Sequence, residues 1–218
     1  MKKHKVAYID EKSRDIRNFQ RRVREALDVI GFVPKPDLDE FVQELLNSEA
    51  EAFVVDFRLN EYRTEVKGPI TYNGSELIEK ILAIRKEFPC FILTSYDEDA
   101  VQQTVDVNYV YPKDILNPDK QPGKITLAEK IRVQIEHYQA NLAKQDERFQ
   151  ALLTKSESEG LTEAEENELL KLDSFLESVL DDRESLSPEK KSQLAVGKID
   201  ELIHSTHELL KALRKEGN

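Results

Sequence analysis

The sequence contains no tryptophan, one methionine, one cysteine and only seven glycines among its 218 residues. The single cysteine, Cys90, excludes an internal disulfide framework and is typical of a protein in a reducing cytoplasm. Because Cys90 lies in the apolar run PCFILT, we interpret it as a small buried hydrophobic residue. The few glycines form no glycine-rich phosphate loop, and no nucleophile elbow is present, which argues against a doubly wound small-molecule enzyme.

Long hydrophobic runs are also missing. No segment approaches the length of a transmembrane helix, so we expect no membrane association. The start, MKKHKVAYID, passes from a basic tip straight into a strand-like segment, and we therefore expect no secretory signal and a cytoplasmic location. With 39% hydrophobic and 34% charged residues and a mean hydropathy of −0.59, the composition predicts a soluble, folded protein.

Positive charge is in deficit. The formal net charge is −11, and residues 144–218 carry 18 acidic against 11 basic side chains. Nucleic-acid binding depends on clustered cations that neutralise phosphates, so the charge disfavours a nucleic-acid partner. One basic face does occur on the first predicted helix, and we interpret it as solvated surface. It comprises Arg14, Arg17, Arg21, Arg22 and Arg24.

Apolar runs of strand length alternate with helical patterns through the first 140 residues. Strands that are apolar on both faces predict a parallel sheet covered by helices on each side, an α/β doubly wound fold with five strands. The predicted strands are Lys5–Asp10, a weak one near Phe32–Val33, Ala52–Asp56, Cys90–Thr94 and Val107–Tyr111. The predicted helices are Ser13–Ile30, one around Leu38–Leu46, Gly74–Phe88, Asp97–Thr104 and Ile125–Leu142.

The strand pattern stops after Leu142, so we predict an α/β domain over residues 1–143 and an acidic, all-α extension over residues 144–218. Phe149, Leu152 and Leu153 fit a continuation of the fifth helix. The pair Thr162 and Glu165 is placed for a capping box that begins the next helix.

A third helix of the extension is predicted to begin at Ser187-Pro188, with serine as the cap and proline at the first helical position. Its apolar stripe over Ile199–Leu213 suits either an intramolecular bundle or a coiled-coil homodimer. His204 and His207 lie in this helix, where we interpret them as surface or interface residues rather than as phosphotransfer sites.

Charged and hydroxyl side chains stand at the ends of the predicted strands. Because the carboxyl ends of parallel strands meet at one rim, we expect these groups to converge there. The carboxylates offer the hard oxygen ligands that Mg²⁺ prefers, and Asp56 would attack phosphorus to form an acyl phosphate. Lys113 and the Thr94 hydroxyl would hold phosphoryl oxygens. The groups are Asp10, Glu11, Asp56, Thr94 and Lys113.

Over roughly residues 4–143 these motifs resemble the receiver domains of two-component response regulators. The motifs are YIDEKSRD, FVVDF, FILTSY and YVYPKD, in that order, and NGSELIEKI resembles the opening of the family's third helix. The resemblance implies a flavodoxin-like fold, phosphorylation on Asp56, Mg²⁺ at Asp10, Glu11 and Asp56, and no enzymatic activity beyond the receiver's own phosphoryl chemistry. Thr94 would be the switch hydroxyl and Lys113 the phosphate-sensing lysine.

The sequence departs from the family pattern in three places. The stretch Asn60–Tyr72 makes the loop after Asp56 longer than usual, so it could gate the site or bind a partner. Proline precedes Lys113 instead of following it, so the Lys-Pro bond typical of the family cannot form. The aromatic switch position is Val110, flanked by Tyr109 and Tyr111.

Arg58, two residues beyond the acceptor, is expected to lie over the acyl phosphate and to slow its hydrolysis. We therefore interpret Arg58, Tyr109 and Tyr111 as residues that modulate the site.

Two hypotheses follow from the sequence. In the first, a histidine kinase or phosphotransfer protein donates to Asp56, and the added charge biases a two-state surface that repositions the helices toward a downstream protein effector. In the second, the domain is a pseudo-receiver scaffold that binds protein partners independently of phosphorylation.

Overall fold

The computed structural model describes residues 3–61, 69–95, 110–116 and 125–179. The chain divides into two compact units, Met1–Asn141 and Leu142–Asn218. Several predicted features lie outside the described residues. They are residues 62–68 of the long loop after Asp56, the helix Asp97–Thr104, residues 107–109 of the fifth strand with Tyr109, and the last helix from Ser187 onward with His204 and His207.

The first unit is one parallel sheet with helices on both faces. Its strands lie in the order β2-β1-β3-β4-β5, which is the doubly wound, flavodoxin-like arrangement that the sequence predicts. The strands are β1 His4–Ile9, β2 Leu27–Phe32, β3 Ala52–Asp56, β4 Cys90–Thr94 and β5 Val110–Pro112. The helices are α1 Ser13–Val23, α2 Leu38–Leu46, α3 Gly74–Ile84 and α4, which begins at Leu127.

Two apolar clusters, one on each face of the sheet, form the core. Every residue of β3 and β4 is buried, as their continuous apolar runs predict. Because side chains alternate along a strand, Phe53 and Val55 pack against α2 and α3, whereas Ala52 and Val54 pack against α1 and the start of α4. The two-sided burial leaves the strand ends as the place where polar groups can gather.

The prediction of one helix over Ser13–Ile30 is wrong. Helix α1 ends at Val23, and the residues from Leu27 onward belong to strand β2. The apolar residues from Ile16 to Ile30 keep a helical spacing, but parallel pairing of Leu27–Phe32 with β1 decides the outcome. Gly31 permits this arrangement, since a Cβ there would stand 2.3 Å from Cγ2 of Ile16 on α1.

Two other element ends also differ from the prediction. Helix α3 stops at Ile84 rather than Phe88, because Phe88 is buried in the core and precedes Pro89, a position that disfavours helical backbone. Strand β5 extends one residue further than predicted, to Pro112, at an edge of the sheet where a missing N–H is tolerated.

Helix α4 runs over Leu127–Ser158, which confirms that Phe149, Leu152 and Leu153 continue the fifth predicted helix. The second unit also contains α5, Glu163–Val179, preceded by the predicted capping box of Thr162 and Glu165. Four buried apolar residues of this unit form a cluster of their own, which is Phe149, Leu152, Leu169 and Leu176.

On the surface of this second unit, the guanidinium of Arg148 donates two hydrogen bonds to Glu168, at 2.9 and 2.7 Å. Among the described residues, none of the helices has the length and apolar character needed to span a membrane.

Candidate functional site

Three acidic side chains meet at the carboxyl end of the sheet. β1 lies between β2 and β3, so the chain direction across the sheet reverses between β1 and β3, and a crevice forms at the ends of these strands. Asp10 and Glu11 follow β1, and Asp56 is the last residue of β3. All three are buried, and each offers a carboxylate oxygen within 4.8 Å of the others. The structure therefore brings together the acids that the sequence placed at one rim.

Lys113 joins this cluster from the end of β5, the strand at the edge of the sheet. It follows β5 directly and begins a short 3-10 helix, Lys113–Leu116. Its Nζ lies 2.9 Å from Oδ1 of Asp56 and 3.7 Å from Oδ2 of Asp10. The ammonium therefore balances part of the negative charge and lies beside the proposed nucleophile.

Asp10 is fixed by two donors that the sequence interpretation did not include. The hydroxyl of Tyr8 donates to Oδ2 at 3.0 Å, and the backbone amide of Lys12 donates to Oδ1 at 2.9 Å. The Tyr8 ring stacks on Phe19 of α1, with centroids 4.1 Å apart. Asp10 directly follows β1 and stands two residues after Tyr8, so the two-residue period of an extended chain puts both side chains on the same face of the sheet.

Glu11 is the exception in its bonding. Its side chain is 1% exposed, yet neither carboxylate oxygen accepts a hydrogen bond from any residue that the structure describes. The nearest cation is Lys12, whose Nζ lies 3.7 Å from Oε1. Buried carboxylates are normally paired, hydrogen-bonded or bound to a metal. The donor set of three carboxylates with unused oxygen lone pairs fits Mg²⁺, which prefers hard oxygen ligands and retains water.

Burial and mutual repulsion disfavour the charged forms of the acids. Burial raises the pKa of Glu11 to about 7, and the carboxylates of Asp10 and Asp56 add to this shift, whereas the backbone amide of Glu11 and the ammonium of Lys12 oppose it. Burial likewise raises the pKa of Asp56 to about 6, although the attraction of Lys113 opposes the shift. Burial lowers the pKa of Lys113, but attraction to Asp56 and Asp10 outweighs it and the net shift is upward. A divalent cation would relieve the repulsion among the carboxylates.

The backbone of Asp56 is held by close packing against the start of α3. The amide of Gly74 donates to the carbonyl of Phe57 at 2.8 Å, and a Cβ on Gly74 would stand 2.3 Å from the Asp56 carbonyl oxygen. Asn73 caps the helix and forms a capping box with Glu76. The sequence indicated that NGSELIEKI opens a helix, but only the structure shows that Gly74 allows this helix to abut the proposed nucleophile.

The other predicted site residues lie around this centre. Thr94 is buried at the end of β4 and pairs in register with Pro112, the residue before Lys113. Arg58 forms an ion pair with Glu61. Tyr111 lies on β5 with its ring centroid 5.8 Å from that of Phe91. Tyr109 falls outside the described residues, so its modulating role stays a prediction from the sequence.

Solved structures similar to this one include receiver domains at low sequence identity. The BeF3-activated DrrB receiver domain is 18% identical with a TM-score of 0.44, covering 62% of this chain and 99% of that chain. A CheY-like receiver domain protein from Methanospirillum hungatei JF-1 is 15% identical with a TM-score of 0.44, covering 64% of this chain and 99% of that one.

The anti-anti-sigma factor PhyR from Bartonella quintana is 14% identical with a TM-score of 0.45, and the match covers 66% of this chain and 51% of PhyR. No protein-family model matches the chain, and no curated protein matches it. Response regulator receiver domains, which the sequence motifs resemble, are thus among the structural neighbours.

Proposed function

We propose that this chain is a signalling protein that accepts a phosphoryl group on Asp56 from a histidine kinase or phosphotransfer protein. One observation carries the proposal. A buried acid triad, in which Glu11 has unused oxygens, surrounds a strand-end aspartate whose carboxylate contacts the ammonium of Lys113 at 2.9 Å. An ion pair between Lys113 and Asp56 leaves the unbonded oxygens of Glu11 unexplained, whereas a site for a divalent cation gives them a role as ligands.

Asp10, Glu11 and Asp56 would hold Mg²⁺, which when bound would neutralise the negative charge shared between the carboxylates and an incoming phosphoryl group. Tyr8 and the amide of Lys12 orient Asp10, and the contact of Gly74 with the strand end fixes the backbone of Asp56. The residues therefore form a preorganised pocket, which is what phosphoryl transfer mainly requires.

In the transfer itself an oxygen of the Asp56 carboxylate attacks phosphorus, and the bond from phosphorus to the donor atom breaks. The donor leaves with the bonding electron pair, and an acyl phosphate forms on Asp56. With a pKa of about 6, the Asp56 carboxylate is mostly ionised near neutral pH and can act as the nucleophile. Lys113 lies where its ammonium can contact a phosphoryl oxygen, and Thr94 is proposed to hold another.

The proposed output is a helical one directed at a protein effector rather than at nucleic acid. Helix α4 packs on the sheet through Leu127, Ile131 and Ile135 and continues into the acidic second unit. In this proposal, a change at the strand ends would reach the effector through this helix, which belongs partly to the extension. Homodimerisation through the extension and an intramolecular bundle both agree with its apolar stripes. The proposal includes no catalytic activity toward a separate substrate.

Intact-protein mass spectrometry after incubation with Mg²⁺ and acetyl phosphate tests the proposal. We expect one phosphoryl adduct on the wild type and on Asp28→Asn, an exposed aspartate near the amino end of β2, and none on Asp56→Asn. Omission of Mg²⁺ should also prevent the adduct. If the folded wild type gains no phosphoryl group, the proposal fails, and a scaffold that binds partners independently of phosphorylation takes its place.

A further inference from the structure

The loop that carries Lys113 is a single helical turn. Residues Lys113–Leu116 form a 3-10 helix directly after the edge strand β5, which is only three residues long. Hydrogen bonds in such turns have poor geometry, so one short turn on a sheet edge needs contacts from other elements to hold its position. The position matters here because Lys113 reaches Asp56 and Asp10 from this turn.

Arg22 on α1 supplies such a contact. Its Nη1 donates to the carbonyl of Leu116, the last residue of the turn, at 3.0 Å. Residue 22 lies in the last turn of α1, whose buried face packs in the same cluster that Ile115 and Leu116 border. Packing therefore holds α1 in place, and the guanidinium of Arg22 extends from this helix to the end of the turn that begins with Lys113.

We propose that Arg22 is a positioning residue, which acts through the Lys113–Leu116 turn to hold the Lys113 ammonium against Asp56. This inference rests in part on the proposed function, since the value of that position lies in phosphoryl transfer. Arg22 and Lys113 line the same open cleft of about 340 Å³, and the Lys113 side chain is 28% exposed. Small reagents can thus reach the lysine, so its position can be measured without any phosphorylation.

The first experiment measures how fast an amine-acetylating reagent modifies Lys113 in the folded protein, by peptide mass spectrometry. In Arg22→Ala we expect Lys113 to react roughly threefold to tenfold faster than in the wild type, the range for loss of one exposed hydrogen bond of ordinary strength. Lys80, an exposed lysine on α3, is the internal reference and should not change. Arg22→Lys keeps the charge and a donor and should restore part of the protection.

The direction of the change separates positioning from electrostatics. Removal of a nearby positive charge alone would stabilise the protonated ammonium and slow the reaction, whereas release of Lys113 from Asp56 speeds it. Arg17→Ala is the matched control, because it removes the same charge from an exposed position of the same helix. Unchanged or slower modification of Lys113 in Arg22→Ala would overturn the proposal, as would an equal acceleration in Arg17→Ala or at Lys80.

The second experiment measures the rate of phosphorylation by acetyl phosphate in Mg²⁺ for the same variants. We expect Arg22→Ala to be about threefold to tenfold slower and Arg17→Ala to match the wild type. A wild type that gains no phosphoryl group overturns the proposed function, while the acetylation rates still decide whether Arg22 positions Lys113. A phosphorylation rate that is unchanged in Arg22→Ala overturns the positioning role.

Discussion

Replacement of Glu11 by glutamine should stabilise the metal-free protein at pH 8 and abolish its stabilisation by Mg²⁺. The carboxylate of Glu11 is buried with no hydrogen-bond donor among the described residues, so its charge is costly in the folded state. Glutamine has nearly the same shape and no charge. It removes the penalty and, with it, a ligand that the proposed metal site requires.

The raised pKa of Glu11 gives the size of the energetic penalty and the direction in which stability changes with pH. The pKa rises from 4.5 in the unfolded chain to about 7 in the folded protein, which corresponds to a penalty of about 3 kcal/mol. Below pH 4.5 both states hold the proton and the penalty is absent. Between pH 4.5 and 7 the unfolded state loses its proton first, so the free energy of unfolding decreases, and above pH 7 the full penalty applies.

The expected gain for Glu11→Gln is therefore below about 1 kcal/mol at pH 5 and about 1–3 kcal/mol at pH 8, where burial of the amide offsets part of the penalty. For a unit of this size that is an increase in Tm of roughly 3–9 °C. All seven tyrosines lie at or before Tyr138 and tryptophan is absent, so tyrosine fluorescence follows the unfolding of the first unit alone.

The measurement is thermal unfolding at pH 5 and pH 8, in EDTA and in Mg²⁺, with Glu79→Gln on the exposed face of α3 as the control. In EDTA at pH 8 the Glu11→Gln variant should be the more stable protein, and in Mg²⁺ the wild type alone should gain. A variant that is less stable than the wild type in EDTA at pH 8 refutes the reasoning. Equal changes in Tm at the two pH values do so as well.

Three further substitutions test the surroundings of Asp56. Gly74→Ala should lower the free energy of unfolding by about 1–3 kcal/mol and slow phosphorylation, because its Cβ would collide with the Asp56 carbonyl; an unchanged urea midpoint contradicts this packing. Tyr8→Phe should cost about 1 kcal/mol in urea unfolding and weaken Mg²⁺ binding measured by calorimetry, since Asp10 loses a donor while the stack on Phe19 remains. Arg58→Ala should shorten the lifetime of the phosphoryl-aspartate, followed by loss of the mass adduct, and a lifetime equal to that of the wild type rules out shielding by Arg58.

Where the sequence has one dominant pattern, it was sufficient to predict the element. The runs AFVVD and CFILT are apolar at every position before the last, a pattern typical of strands buried on both faces, and they form β3 and β4 as predicted. The second strand was predicted near Phe32–Val33 but begins at Leu27, because Leu27 and Ile30 also fit the helical spacing that starts at Ile16. Pairing with β1, a long-range contact, resolved that ambiguity.

The candidate site shows the same division between local and long-range causes. The sequence by itself determined which side chains stand at strand ends, because the alternation of strands and helices is local and the carboxyl ends of parallel strands must meet at one rim. The sequence thus predicted that Asp10, Glu11, Asp56 and Lys113 lie close together. Only the tertiary structure decided how each is held, because a hydrogen bond or a collision depends on distances between residues far apart in the chain.

Three features of the site could not be predicted from the local sequence pattern. The unbonded oxygens of Glu11, the approach of Gly74 to Asp56 and the reach of Arg22 to Leu116 each depend on how the helices pack on the sheet. Arg22 is one of the five arginines of the basic face on the first predicted helix, and the sequence does not distinguish it from the other four. The packing of α1 beside the turn after β5 gives this one a contact that bears on the lysine of the site.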